Sequence, residues 1–285
     1  MFGLIAWFSS RLPEQLAAAL GAGLGFLAGS VLRLRRARAD AHLRLAGVGG
    51  DAAGRARVLR GMYHHLGLCV VEFLRLSTWT RAKIDARITF DRFERLEEAI
   101  AEGHGVIAVT AHFGNWDLLA SIAALRGVPL HIVTRELKGR RLNRAWMEAR
   151  SRAGITLHPD VGSAPSLLAA LRAGGVVAFV IDQHVGETFG VGVPFFGRLA
   201  STMDAPAILA ARTGAPVFPT FLFREGFERH RLVIGDRIAL AGGRGREAVA
   251  ASTARFSRAV EDVVRAHPEQ WIWMHRRWKL AEQVR

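Results

Sequence analysis

The chain is predicted to be an α/β protein with a mostly parallel central sheet flanked by helices, preceded by one amino-terminal membrane-anchoring helix. Three observations predict this. From about residue 86, short apolar runs alternate with stretches of helix length, the pattern of βαβ units. Glycines stand at the joints where those helices give way to strands. One long apolar segment lies near the amino terminus, followed at once by a dense run of arginine.

The apolar segment runs from Gln15 to Leu32 (QLAAALGAGLGFLAGSVL). Its 18 residues, at ~1.5 Å each, would make about 27 Å of helix, close to the ~30 Å hydrocarbon thickness of a bilayer. Gly21, Gly25 and Gly29 recur every fourth residue, a spacing that lets helices approach closely in lipid. Arg33, Arg35, Arg36 and Arg38 follow, and only Arg11 precedes, so the positive-inside rule places the rest of the chain in the cytoplasm. The same residues also suit a buried Ala/Gly-rich helix, a helix lying in the interface, or a signal peptide, although a basic leader region is missing. Residues 40–85 read as helical, with Met62, Leu66, Val70, Phe73 and Leu74 on one stripe.

Four buried strands are expected in the body: Gly105 to Thr110, Pro129 to Thr134, Val176 to Ile181 and Ala215 to Phe223. Helices are expected at 91–102, 115–126, 140–153, 163–173 and 202–213. No linker divides the chain after the anchor. The predicted organisation is therefore 1–39 as anchor and basic flank, and 40–285 as a single folded domain.

Composition narrows the function. Half the residues are hydrophobic and 22% are charged, which excludes a disordered chain. A single cysteine, Cys69, excludes an internal disulfide and a Cys-rich zinc site. The 39 Lys+Arg against 25 Asp+Glu leave a formal charge of +14, yet Lys83, Lys138 and Lys279 are the only lysines. A positive surface suits an anionic bilayer, an acidic protein, a phosphorylated substrate or nucleic acid. No zinc-finger, RRM or KH pattern supports the last.

In open α/β sheets, sites form beyond the carboxyl ends of strands. The first strand is followed by Ala111-His112-Phe113-Gly114-Asn115-Trp116-Asp117. His112 and Asp117 would point ~140° apart on one helix, but can meet if His112 sits in the turn and Asp117 in the helix's first turn. Asn115 suits the N-cap and Gly114 a tight turn. A carboxylate on one imidazole nitrogen would leave the other free as a base. The competing reading is a solvated loop histidine beside an aspartate stabilised by the helix dipole. After the third strand come Asp182, Gln183 and His184, then a long loop with apolar residues between Phe189 and Phe196. Asp182 could face the same crevice as His112, or could be an ordinary capping residue. Arg135 follows the second strand, where a guanidinium group could clamp a phosphate. Trp271-Ile272-Trp273-Met274-His275-Arg276-Arg277-Trp278-Lys279 is either core packing with a basic edge or an interfacial belt. No metal-ligand spacing and no nucleotide-binding glycine motif is present.

Taken together, HFGNWD, the Arg135 region, DQH followed by GVGVPFFGRLAST, LAARTGAPVFP and WIWMHRRWK resemble the bacterial lipid A late acyltransferases. These are lauroyl and myristoyl transferases of the lysophospholipid acyltransferase superfamily. The blocks run in order from His112 to Lys279. The resemblance implies a glycerolphosphate-acyltransferase-like αβ fold and transfer of an acyl chain from an acyl thioester to a hydroxyl of a glycolipid, most directly a lipid A precursor. It implies His112 as general base and Asp117 as its acidic partner. Arg135, Asp182, Asn115 and Gln183 are expected to line the substrate cleft. No metal and no cofactor is expected, with acyl carrier protein or CoA supplying the thioester. The expected partners are the membrane lipid acceptor and an anionic bilayer surface, not nucleic acid, for a monomer on the cytoplasmic side of the inner membrane. The alternatives are another acceptor, such as a phosphatidylinositol mannoside or an ornithine-type lipid, or a non-catalytic lipid-binding protein of the same fold.

Overall fold

The computed structural model describes residues 2–134, 139–243 and 245–279. Two helices open the chain, α1 (Phe2–Arg11) and α2 (Glu14–Phe26), broken at Pro13, which fixes a non-helical turn there. A wider five-residue turn, Leu27–Val31, extends α2. Then come α3 (Arg36–Leu45), the long α4 (Ala52–Leu74) capped by the Asp51 carboxylate, and the short α5 (Arg81–Arg87). The body follows as β1 (Ile88–Asp91), α6 (Glu94–Ala101), β2 (Val106–Thr110), α7 (Trp116–Leu125), β3 (Leu130–Thr134), α8 (Arg140–Arg152), β4 (Thr156–Pro159), α9 (Ala164–Arg172) and β5 (Val176–Val180). It closes with β6 (Gly190–Phe195), β7 (Arg198–Met203), α10 (Ala205–Thr213), β8 (Val217–Gly226), β9 (Arg229–Ile234) and α11 (Arg246–Ala266).

Seven strands form one sheet in the order β1-β9-β8-β2-β5-β3-β4. Every neighbouring pair is parallel except the β8–β9 hairpin. The expected α/β class and mostly parallel sheet are thus present. Both faces of the sheet are covered, by α4, α9, α10 and α11 on one side and by α5, α6 and α7 on the other. That is why β2 and β5 read as continuous apolar runs rather than alternating ones.

Several expectations change. Three further strands, β1, β4 and β9, were too short or too polar on one side to stand out. The expected helix 202–213 begins only at Ala205, because residues 198–203 pair with β6 as a separate antiparallel hairpin. That hairpin replaces the expected open loop. Phe195 and Phe196 are buried within it, and only Phe189 and Leu199 remain exposed as large apolar residues there. The helical stripe also shifts. Val70 is exposed, while Leu59, Met62, Tyr63, Leu68, Val71 and even Glu72 are buried, because α4 is enclosed on more than one side. Trp271, Trp273 and Trp278 are fully buried, which settles them as core rather than as an interfacial belt.

The glycines of α2 meet α4 rather than another molecule. A Cβ at Gly21 would stand 2.9 Å from the Leu68 side chain, and one at Gly25 or Gly29 would overlap the Tyr63 carbonyl or ring. Gly25→Leu is therefore expected to prise α2 from α4 and to lower stability by about 3 kcal/mol, read as a fall in Tm.

Candidate active site

His112 follows β2 and Asp182 follows β5, and these strands are neighbours with Thr110 opposite Val180. Continuing that register two residues past each strand brings His112 opposite Asp182. The Asp182 carboxylate accepts from the His112 backbone N–H at 2.9 Å, from His112 Nδ1 at 2.8 Å and from Trp271 Nε1 at 2.7 Å. Asp182 is almost wholly buried. Burial opposes its ionisation, but the charge His112 carries when protonated and the hydrogen bond from its ring outweigh this. They hold the Asp182 carboxyl well below the usual carboxylate range. An ionised Asp182 requires the proton on Nδ1, so Nε2 of His112 is the free basic nitrogen.

Nε2 faces the open side, where the Gln183 amide lies 3.0 Å away. The ring is packed edge-on against Trp116, with centroids 5.1 Å apart, and lies tilted against His275 at 4.9 Å. Burial, and then the nearby His112, pushes the His275 imidazole down to about 4, so His275 is a neutral neighbour at pH 7.

Asp117 is not the partner of His112. From the first turn of α7 it points to α8, where Oδ1 accepts from Arg150 Nη2 at 2.5 Å, Arg150 Nε at 2.9 Å and Trp146 Nε1 at 3.1 Å. Arg150 also donates to Thr134 Oγ1 at 2.9 Å, tying α8 to the end of β3. The expected pairing fails because the His112 ring turns toward β5, whereas Asp117 leaves α7 on the α8 side. Arg150→Met would leave a mostly buried carboxylate without its cation, and is expected to cost about 3 kcal/mol in a denaturant melt.

Asn115 is the N-cap, as its position suggested, accepting from the Leu118 N–H at 3.1 Å. It was also expected in the cleft, but its amide nitrogen donates inward to Glu72 at 2.7 Å and the residue is buried. Both ends of its side chain are occupied by protein. The expected cleft residue Arg135 lies outside the described residues.

Behind this turn sits a buried polar network that sequence reasoning missed. Glu72 on α4 receives Asn115, both terminal nitrogens of Arg224, the Glu228 N–H at 2.8 Å and His230 Nε2 at 3.2 Å. Burial opposes its charge, but His230 and Arg224 more than offset this and keep Glu72 well below the usual carboxylate range. Burial pushes His65 down to about 3, so it is neutral. It accepts from Arg224 Nε at 2.9 Å on Nδ1, and therefore donates from Nε2 to the Gly114 carbonyl at 3.1 Å. Gly114 itself has φ +56°, and a Cβ there would overlap the Leu222 carbonyl. Its N–H donates to the Gln270 carbonyl at 2.9 Å. The one hint in the sequence was a lone acid inside the apolar run LCVVEFL. Cys69, within the same network, has its thiol pushed up to about 12 by burial, which makes it a poor nucleophile.

An apolar cavity opens between the sheet and α7, and Trp116, against which the His112 ring packs, is one of its walls. Thr110, Trp116, Leu119, Ile132, Arg150 and Val176 are among its lining residues. The arrangement is an oriented imidazole beside an apolar slot.

Residues 1–280 match the family model described as bacterial lipid A biosynthesis acyltransferase. A lipid A biosynthesis palmitoleoyltransferase of Escherichia coli (strain K12) is 25% identical over 283 residues, covering 98% of this chain and 90% of the relative. A lipid A biosynthesis lauroyltransferase of the same strain is 23% identical, covering 96% of this chain and 89% of the relative. A phosphatidylinositol mannoside acyltransferase of Mycobacterium tuberculosis (strain CDC 1551 / Oshkosh) is 28% identical over 213 residues, covering 73% of this chain and 66% of that protein. With the family model spanning nearly the whole sequence, this chain belongs to the bacterial lipid A biosynthesis acyltransferase family and is an acyltransferase.

Proposed function

We propose that this acyltransferase moves a fatty acyl chain from a thioester of acyl carrier protein or CoA to a hydroxyl of a glycolipid, with a lipid A precursor as acceptor and His112 as general base. The observation that carries this reading is the His112–Asp182 pair beside the apolar cavity. The acyl chain lies in the cavity with its thioester carbonyl near Trp116. The acceptor hydroxyl displaces the Gln183 amide from Nε2 and gives up its proton there as its oxygen attacks the carbonyl. The C–O bond forms and the C–S bond breaks. The proton then passes from Nε2 to the departing thiolate. Asp182 keeps the ring in the right tautomer and stabilises the imidazolium.

Asp117, given a catalytic role by the motif alone, becomes a positioning residue that holds α8 through Arg150. The Gly114 N–H already donates to Gln270, which leaves it unsuited to receive an oxyanion. Part of the relatives' names concern lipid A and part phosphatidylinositol mannosides, and both are glycolipids with free hydroxyls. The test is incubation of the purified chain with radiolabelled acyl-carrier protein or acyl-CoA and either acceptor, followed by chromatography of the lipids. Label appearing in the lipid A precursor supports the reading. Label only in the phosphatidylinositol mannoside replaces the acceptor, and no label in any lipid overturns it.

A further inference from the structure

The amino-terminal segment has the length of a membrane span, and its ends tell against that use. Glu14–Val31 is long and apolar enough to cross a bilayer, and 22% of it is buried inside the protein. At the start of this stretch, both Glu14 oxygens accept from Arg87 of α5, at 2.9 and 2.7 Å. Just before it, Arg75 at the end of α4 donates to the carbonyls of Ser9 at 2.5 Å and Leu12 at 3.0 Å. Just beyond its far end, the Tyr63 hydroxyl of α4 donates to the Leu34 carbonyl at 2.5 Å. Both ends are thus tied to the same folded domain.

Between those ends the face Ala17, Gly21, Gly25, Gly29 is buried, the last three directly against α4. α4 cannot accompany α2 into hydrocarbon. It carries Arg55, Arg57, Arg60, His64, His65 and Glu72, and Glu72 is bonded to the active-site turn. So many ionisable groups are not tolerated at bilayer depth. For α2 to span, it would have to leave α4 and expose backbone-close glycine contacts with nothing to replace them.

The uncovered side of α1, α2 and the following turn is apolar. Ile5, Trp7, Phe8, Leu16, Leu20, Phe26, Leu27 and Val31 are all exposed, and most of the exposed large apolar residues lie in this segment. Arginines flank it. Arg11 lies over the Trp7 ring at 4.1 Å, and Arg33 and Arg35 are exposed at the other end. An apolar face edged by Trp and Arg fits the head-group boundary of an anionic leaflet.

We infer that α1, α2 and the following turn form a monotopic membrane-binding face that lies in the plane of one anionic leaflet, with the amino terminus and the active site on the same side of the bilayer. A spanning anchor with the amino terminus across the membrane is the arrangement this replaces. Leu16, Leu20, Gly23, Leu27 and Val31 share one helix face, since their spacing returns to within ~60° of the same direction. Gly23 has open space around it. In vesicles of phosphatidylethanolamine and phosphatidylglycerol they would therefore sit at one shallow depth.

The experiment places a nitroxide at Leu16→Cys, Gly23→Cys, Leu27→Cys or Val31→Cys in the full chain and measures depth by oxygen and nickel-chelate accessibility. Cys69 is buried and does not compete for the label. All four positions at about 5–10 Å below the head groups is the expected result. A profile that deepens to the bilayer centre at Gly23→Cys overturns the inference. So does an impermeant thiol reagent that reaches Phe8→Cys and Arg38→Cys from opposite sides. The triple variant Leu16→Glu, Leu20→Glu, Leu27→Glu should float with phosphatidylglycerol vesicles about a hundredfold less well, at unchanged circular dichroism. Unchanged flotation of that folded variant also overturns it. His112→Ala should float as the wild type does, so the membrane result stands or falls apart from acyl transfer.

Discussion

If His112 is the proposed general base, His112→Ala is expected to lower the turnover of acyl transfer about 10³–10⁴-fold, the upper range for loss of such a group. The substitution removes the imidazole that the buried Asp182 carboxylate orients. It leaves the fold in place, because the turn is still held by the His112 N–H on Asp182, by Gly114 on Gln270 and by Asn115 on Glu72. The measurement is kcat for transfer from a radiolabelled acyl thioester, with circular dichroism as the control. A folded variant with wild-type turnover would remove His112 from the mechanism.

Asp182→Asn is expected to lower kcat by about 10²–10³, less than loss of the imidazole itself, as orienting carboxylates in such arrangements do. Three donors converge on the Asp182 carboxylate, and an amide offers one acceptor oxygen together with an NH₂ that must point at another donor. Relief comes if His112 adopts the other tautomer, which places its proton on Nε2 and removes the base. Asp117→Asn gives the opposite profile. It weakens the Arg150 brace and lowers Tm, while the His112 tautomer and hence the pH profile of kcat stay as they were. The reverse outcome, with Asp117→Asn abolishing turnover and Asp182→Asn sparing it, would overturn the pairing seen here. Stability against pH gives a second reading of the same residue. Asp182 has its pKa depressed on folding, so its contribution is present above the ordinary carboxylate range and is lost as pH falls through and below that range. Asp182→Asn should therefore flatten the acid limb of a Tm-versus-pH curve.

Much of the route to this site can be read from residue order. VIAVT and VVAFV are apolar without alternation, which is what burial on both sheet faces imposes, and both appear as β2 and β5. The rule that sites gather at carboxyl ends then singles out His112 and Asp182 without any coordinates. Asn115 is visible as an N-cap because capping is a matter of three neighbouring residues. Less visible were β4 and β9, whose sequences, TLHP in β4 and a β9 interrupted by Arg229 and Arg231, look strand-like only once paired in the sheet. Glu72 and Arg224 were missed because they lie 152 residues apart and each alone resembles an ordinary surface charge. The amino-terminal apolar segment was plain, but which of its faces the rest of the protein covers was not. Hydropathy averages over all faces of a helix, whereas Gly21, Gly25 and Gly29 commit one face to α4 and leave the other uncovered.

The sequence alone determined the fold class, the apolar amino-terminal segment, and the short list of side chains at the ends of β2 and β5. Those follow from period, length and local chemistry, which act between residues close in the chain. Tertiary structure alone decided which carboxylate serves His112. Asp117 is five residues away and Asp182 is 70, and the choice went to the distant one. The reason is the parallel register of β2 against β5, which sets Thr110 beside Val180 and carries the two following residues into contact. Strand order is a property of the assembled sheet, and no local pattern encodes it.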